Sequence, residues 1–113
     1  FAFNGDFTLM RNVFFNSMKN AIRSIMSKGS GQIQIYNIRD NKFNYLVFKD
    51  TGMGVKKENL KKIFHGFFTT EASGSGLGLF FCKNIINEFS GEIKVESQYK
   101  KYFKVIMKFP IID

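Results

Sequence analysis

A chain of 113 residues with 44% hydrophobic content and 15 Phe has enough apolar matter for one two-layer core and too little length for two. Its single cysteine, Cys82, excludes an internal disulfide and fits a reducing compartment, while no apolar run approaches the ~20 residues needed to cross a bilayer and no signal peptide is visible. The net charge of +8 suits nucleic acid, anionic lipid or an anionic small ligand, but no zinc, basic-zipper or RNA-recognition signature accompanies it, so no nucleic-acid role is expected.

In chain order, the alternation of Phe1 and Phe3 permits a short strand ending at Gly5-Asp6. From about Phe7 to Met26 the pattern is helical, with Phe14, Met18, Ala21 and Ile25 as an apolar stripe. Asn16 and Asn20 share a different face that continues to Ser24, and Gly29-Ser30-Gly31 stops the helix. Two strands follow, Gln32 to Ile38 and Phe43 to Lys49, joined by a turn at Asp40-Asn41. The second is dense enough in apolar residues to be a central strand buried on both faces. A short helix from about Lys57 to Ile63 precedes an aromatic-anchored loop, 64–73. Another helix runs from near Gly76 to Phe89, burying Leu77, Phe81 and Ile85, and ends at Gly91. Glu92 to Ser97 and Tyr102 to Phe109 form a closing hairpin with Phe103, Val105, Met107 and Phe109 on one face. This order predicts an α+β fold, with a sheet of four to five mainly antiparallel strands covered on one face by three helices.

Three features carry chemistry. Asp50 ends a hydrophobic strand, where a charge requires a partner, and a carboxylate there matches the exocyclic amine of adenine. Gly52 and Gly54 follow at once and remove side chains where a purine would lie close to backbone. A plain glycine turn is the simpler reading of that segment alone. Gly74, Gly76 and Gly78 precede a helix whose N-terminal N–H groups and dipole suit phosphates, although flexible turns share this composition. The Asn16 and Asn20 amides, one helical turn apart, offer neutral hard-oxygen ligands for a hydrated Mg²⁺, or are simply polar residues on an exposed face. Together the three describe an ATP site without the lysine-bearing P-loop.

The combination resembles the ATP-binding domain of the superfamily that includes gyrase, the mismatch-repair MutL ATPases and sensor histidine kinases. Asn16-Ser17-Met18-Lys19-Asn20-Ala21 is similar to the kinase N-box, and Asp50-Thr51-Gly52-Met53-Gly54 to the first glycine box. Phe64-His65-Gly66-Phe67-Phe68-Thr69-Thr70 is similar to the aromatic F-box, and Gly74-Ser75-Gly76-Leu77-Gly78-Leu79 to the second glycine box. The resemblance covers nearly the whole chain and implies a two-layer α/β sandwich of the Bergerat type with a mixed sheet. It implies that residues 1–113 form one ATP-binding catalytic domain, and the opening on Phe1 rather than Met reads as a domain cut from a longer protein.

The resemblance further implies that Asn20 holds Mg²⁺, that Asn16 supports the phosphates, and that Arg23 is a basic phosphate contact. Asp50, with Gly52 and Gly54, would take adenine, and Thr69, Gly74, Gly76, Leu77, Gly78 and Leu79 would line the nucleotide. Ser24 departs from the aromatic often found at its place. Hydrolysing members keep a Glu as general base where this chain has Asn16, and an amide cannot accept the proton. That favours a histidine kinase over an ATPase, while the intact N-box and glycine boxes argue against a nucleotide-sensing module of the same fold. The implied partners are a histidine-bearing dimerisation domain and a response regulator, in the cytoplasm, with any membrane contact made by the rest of the parent. His65 sits inside the F-box and is not the expected phosphoacceptor; Cys82 is expected in the core.

Overall fold

The computed structural model describes residues 7–60, 62–63 and 78–111. The elements are α1 (Phe7–Lys28), β1 (Ile33–Arg39), β2 (Phe43–Asp50), α2 (Lys57–Leu60), α3 (Gly78–Glu88), β3 (Glu92–Gln98) and β4 (Tyr102–Pro110). The expected N-terminal strand at Phe1–Phe3 and the aromatic loop fall outside the described residues.

Four strands form one sheet in the order β1-β2-β4-β3, and every pair is antiparallel. No parallel pairing occurs among the described residues, and the further strand expected at Phe1–Phe3 lies outside them. Its turns are built locally. Asp40 Oδ1 accepts the Lys42 and Phe43 amides, both at 2.8 Å, and Oδ2 accepts the Tyr45 hydroxyl at 3.0 Å. The first two bonds hold the Asp40 carboxyl below its ordinary pKa.

The register sets Asn44, Leu46, Phe48 and Asp50 of β2 beside Phe109, Met107, Val105 and Phe103 of β4, and Ile93, Val95 and Ser97 of β3 beside the last three in turn. That face meets the helices, so β4 alternates buried and half-buried residues along its length. Phe109, Met107, Ile86, Val13 and Cys82 are completely buried in the resulting core. Each large apolar side chain there contributes about 1.5–3 kcal/mol of transfer free energy. Val55, Leu60 and Ile63 join the same core, so the short α2 and the turn after it lie on the helical face too. The expected helix over Lys57–Ile63 is a single turn, extended by a Lys62 N–H to Asn59 carbonyl bond of 2.9 Å.

Three expectations about faces are corrected. The buried stripe of α1 is Met10, Val13, Ser17 and Ala21; of the expected stripe only Ala21 is fully buried, while Phe14 is 39% exposed. The reason is that α1 lies between two neighbours. Val13 faces α3, where its carbonyl accepts the Cys82 thiol at 3.8 Å, and Phe14 meets Phe48 of β2 edge-on at 5.1 Å. On α3, Ile85 is buried as expected, but the fully buried partners are Cys82 and Ile86, with Phe81 half-buried. Finally, β2 is not covered on both faces. Of its outward residues only Val47 is fully buried, while Phe43 and Tyr45 remain half-buried and Lys108 reaches over the Phe43 ring at 4.0 Å.

The end of α3 also differs from the simple glycine stop. Ser90, not Gly91, takes the left-handed conformation at φ 61°, and the Gly91 amide reaches back to the Ile86 carbonyl at 3.0 Å, which is a Schellman cap. Gly91 is needed for closeness instead. A Cβ there would lie 2.5 Å from the Lys108 carbonyl oxygen, so the glycine lets the helix end sit directly on β4.

Candidate functional site

Asp50 is the last residue of β2 and is only 3% exposed. Burial pushes its carboxyl above the ordinary 3.8, opposed in decreasing order by the Gly52 amide, the Ser24 hydroxyl and the charge of Lys28. The Gly52 amide donates to Oδ1 at 3.0 Å. The carboxyl is therefore fixed by local donors, with no ion pair to it among the described residues.

The loop after Asp50 is pinned on both sides. Towards α1, the Met53 amide donates to Ser24 Oγ at 2.9 Å, and a Cβ on Gly52 would fall onto the Ser24 hydroxyl and lie 2.7 Å from the Ile25 nitrogen. Lys28 Nζ donates to the Thr51 carbonyl at 3.0 Å, and Thr51 Oγ1 accepts the Gln32 amide at 2.8 Å. Towards the β3–β4 hairpin, Ser97 Oγ accepts the Val55 amide at 2.7 Å and donates to the Tyr102 carbonyl at 2.8 Å. The Lys100 amide bonds the Met53 carbonyl. Gly54, at φ +66°, leaves no room for a Cβ beside the Gln98 and Tyr102 carbonyls. Both glycines thus have a backbone-packing reason that the purine argument did not supply.

Asn16, Asn20 and Ser24 recur every four residues on α1, so the two amides lie on the row that ends where α1 meets the Asp50 loop. Both amides are half-buried, and neither makes a hydrogen bond among the described residues. Arg23 is half-buried one turn beyond Asn20.

Gly78 opens α3, and Leu79 is half-buried against the core. Thr69, Gly74, Gly76 and Leu77 lie outside the described residues, as do Phe64, His65, Phe67 and Phe68. Cys82 is in the core as expected: burial lifts its thiol to about 12, against a weak opposing pull from the Ser17 hydroxyl. That hydroxyl, also buried, has no partner of normal hydrogen-bond geometry among the described residues. The contacts that sequence reasoning missed are those of Ser24, Lys28 and Ser97. Only Ser24 left a signal, through its spacing of four from Asn20.

A sequence profile described as "Histidine kinase-, DNA gyrase B-, and HSP90-like ATPase" matches residues 5–112. The chain belongs to this ATPase family. Within the family its relatives are sensor histidine kinases. It is 39% identical to the signal transduction histidine-protein kinase AtoS of Escherichia coli over 94 residues, covering 83% of this chain and 15% of AtoS. With sporulation kinase C of Bacillus subtilis it shares 38% identity over 106 residues, covering 92% of this chain and 24% of that kinase. The chain therefore spans between about a seventh and a quarter of these relatives. Among solved structures, the catalytic domain of histidine kinase ThkA in a nucleotide-free form superposes with a TM-score of 0.80 at 31% identity, over 94% of this chain and 69% of that one. The mycobacterial sensor kinase MprB gives 0.84 at 21% identity, over 96% and 76%, a likeness of fold. The α+β architecture is thus that of histidine-kinase catalytic domains.

Proposed function

We propose that this chain is the ATP-binding catalytic domain of a sensor histidine kinase, which binds Mg-ATP and donates the γ-phosphoryl group to a histidine on a separate dimerisation domain. The observation that carries this reading is the buried Asp50, held at a strand end in the same small region as the Asn16–Asn20 row of α1. A buried carboxylate with only local donors retains acceptor capacity for an amine such as adenine N6.

The Asn20 amide, half-buried and unengaged among the described residues, fits a cation that keeps most of its waters. When bound, Mg²⁺ supplies charge neutralisation to the phosphates. Asn16 and Arg23 would orient those phosphates, and Gly52 and Gly54 would keep the adenine loop seated on α1 and the hairpin. Thr69, Gly74, Gly76, Leu77, Gly78 and Leu79 complete the proposed nucleotide contacts. Catalysis is then mainly positioning and electrostatics. Asn16 cannot take a proton from water, so the nucleophile is an imported imidazole rather than water.

The dimerisation domain and a response regulator would be the protein partners, in the cytoplasm, with any membrane contact made elsewhere in the parent. Residues 1–113 would act as one domain. The test is a mixture of this protein, Mg-ATP and a histidine-bearing dimerisation domain, assayed for acid-labile phosphate. Transfer with negligible hydrolysis by the protein alone is the expected result. Robust hydrolysis without acceptor would move the protein to the ATPase branch, and binding without transfer to a nucleotide-sensing role.

A further inference from the structure

The tip of the β3–β4 hairpin is a lysine-rich turn with an unfavourable backbone. The Lys101 amide donates to the Gln98 carbonyl at 2.9 Å and closes a turn over Tyr99 and Lys100. Lys100 is left-handed at φ 66°, in a place that such turns ordinarily give to Gly or Asn. In that conformation its amide reaches the Met53 carbonyl, so the tip is fastened to the loop after Asp50. The Tyr99 ring, 40% exposed, gathers two ammoniums, with Lys56 Nζ 5.3 Å and Lys100 Nζ 5.6 Å from its centroid. On the adjoining strands Lys49 stands directly opposite Lys104, and like charges so placed repel. Glu96 relieves Lys104 at 3.8 Å, whereas Lys49 rests over the Tyr102 ring at 5.3 Å. Lys49, Lys56 and Lys100 have no carboxylate partner among the described residues.

We infer that this end of the sheet is a docking surface for an acidic segment of a partner protein, with Tyr99 at its centre and Lys49, Lys56 and Lys100 as its charges. The surface is separate from nucleotide binding and does not depend on it. Ammoniums already held on aromatic rings have less side-chain freedom to lose when a carboxylate arrives. The Ser97 hydroxyl, accepting the Val55 amide, and the Lys100 amide on Met53 fix the tip to the neighbouring loop, so the surface is formed before any partner binds. Exposed charges of this kind speed association and select a partner of opposite sign more than they add affinity. A nucleic acid fits less well. Its bases need a free aromatic face and its backbone a continuous basic track. Here the Tyr99 ring already carries two ammoniums, and Glu96, its side chain 55% exposed, interrupts the track along β3.

The probe is a fluorescently labelled poly-glutamate peptide, titrated into this protein at low salt and read by anisotropy, with amide NMR shifts to locate it. Shifts are expected at residues 56–57 and 98–102. K56E/K100E should weaken binding by about tenfold or more, because each reversal removes an attraction and adds a repulsion. The control R39E/K42E makes the same change of charge on exposed residues at the far end of the sheet, beside the β1–β2 turn. It should weaken binding by less than about threefold, because screening limits the reach of a distant charge. K100G removes one ammonium from a backbone that suits glycine, so affinity should fall with the fold intact. Equal losses in the two charge-reversal variants would reduce the effect to net charge and overturn the inference. A K100G protein of undiminished affinity, or a wild-type protein that does not bind the peptide, would also overturn it. Displacement of the peptide by a tighter-binding oligothymidylate would make the occupant a nucleic acid and overturn it likewise.

Discussion

Replacing Gly52 with Ala puts one methyl group against the backbone of α1, where nothing can yield. The added Cβ would fall onto the Ser24 hydroxyl and lie 2.5 Å from the Ser24 carbonyl carbon and 2.7 Å from the Ile25 nitrogen. Atoms of a helix backbone do not shift cheaply, so the loop must retreat, at an overpacking cost of about 1–3 kcal/mol. Retreat also loosens the Met53–Ser24 bond, worth roughly 0.5–1.5 kcal/mol, and the charge-assisted Gly52–Asp50 bond, worth roughly 1.5–3. Part of each is recovered by relaxation, which leaves a net loss of about 3 kcal/mol. For a domain of this size that lowers Tm by roughly 10–20 °C. Scanning calorimetry on the ligand-free protein reads the stability, and titration with Mg-ATP reads the site, where affinity should fall in parallel. Gly29→Ala is the control. It has φ +98° but nothing within 4 Å of a Cβ, so it should cost only the ~1–2 kcal/mol of a left-handed alanine and leave ATP affinity unchanged. A Gly52→Ala protein as stable as the Gly29→Ala control would refute the close-packing argument.

Asp50→Asn should cost on the order of ten- to a hundredfold in ATP affinity by placing a donor towards the adenine amine. The folded carboxyl sits above the ordinary 3.8, so the folded state binds its proton more tightly than the unfolded state. The resulting penalty is absent below both values and complete above the raised one. The ligand-free Asn variant should thus equal or exceed wild type in stability at neutral pH and lose that advantage as the pH falls through the raised value; a variant less stable than wild type at neutral pH counts against the desolvation account. Asn20→Ala should abolish phosphoryl transfer to a supplied acceptor and remove the Mg²⁺ dependence of nucleotide binding. Transfer at the normal rate would take Asn20 out of the site. Cys82, wholly buried and with its thiol near 12, should resist Ellman's reagent in the native protein and react on unfolding, whereas prompt native labelling would contradict its place in the core.

Much of the architecture was legible because periodicity reports burial. The alternation of Phe103, Val105, Met107 and Phe109 is realised residue for residue, and the Asp40-Asn41 turn joins β1 to β2. The α1 stripe was misjudged by one position, because a helix wedged between α3 and β2 buries an arc that neither neighbour alone defines. Ile35 shows the same limit on a strand: it faces the helical side beside Phe48, yet it is 40% exposed because α1 sits over β2 rather than over the sheet edge. At the site, Asp50 and the glycines were found as motifs, but the reason for the glycines was not. Their neighbours, Ser24 and the 97–102 hairpin, are contacts across 29 and more residues of chain, and apart from the helical spacing of Ser24 from Asn20 local patterns carry no trace of them.

The strand order has a consequence for how this protein is made. β2 pairs on one side with β1 just before it, but on the other with β4, so that Asp50 lies opposite Phe103 and Phe43 opposite Pro110. A nascent chain that has reached only β3 possesses the Asp50 loop and every asparagine of the α1 row, yet lacks the strand that fills the middle of its sheet and the hairpin that clamps the loop. Closing so long a segment is entropically slow, and such pairings form late. Nucleotide-binding competence should therefore appear abruptly during synthesis, once β4 has emerged from the ribosome, rather than growing with each motif added.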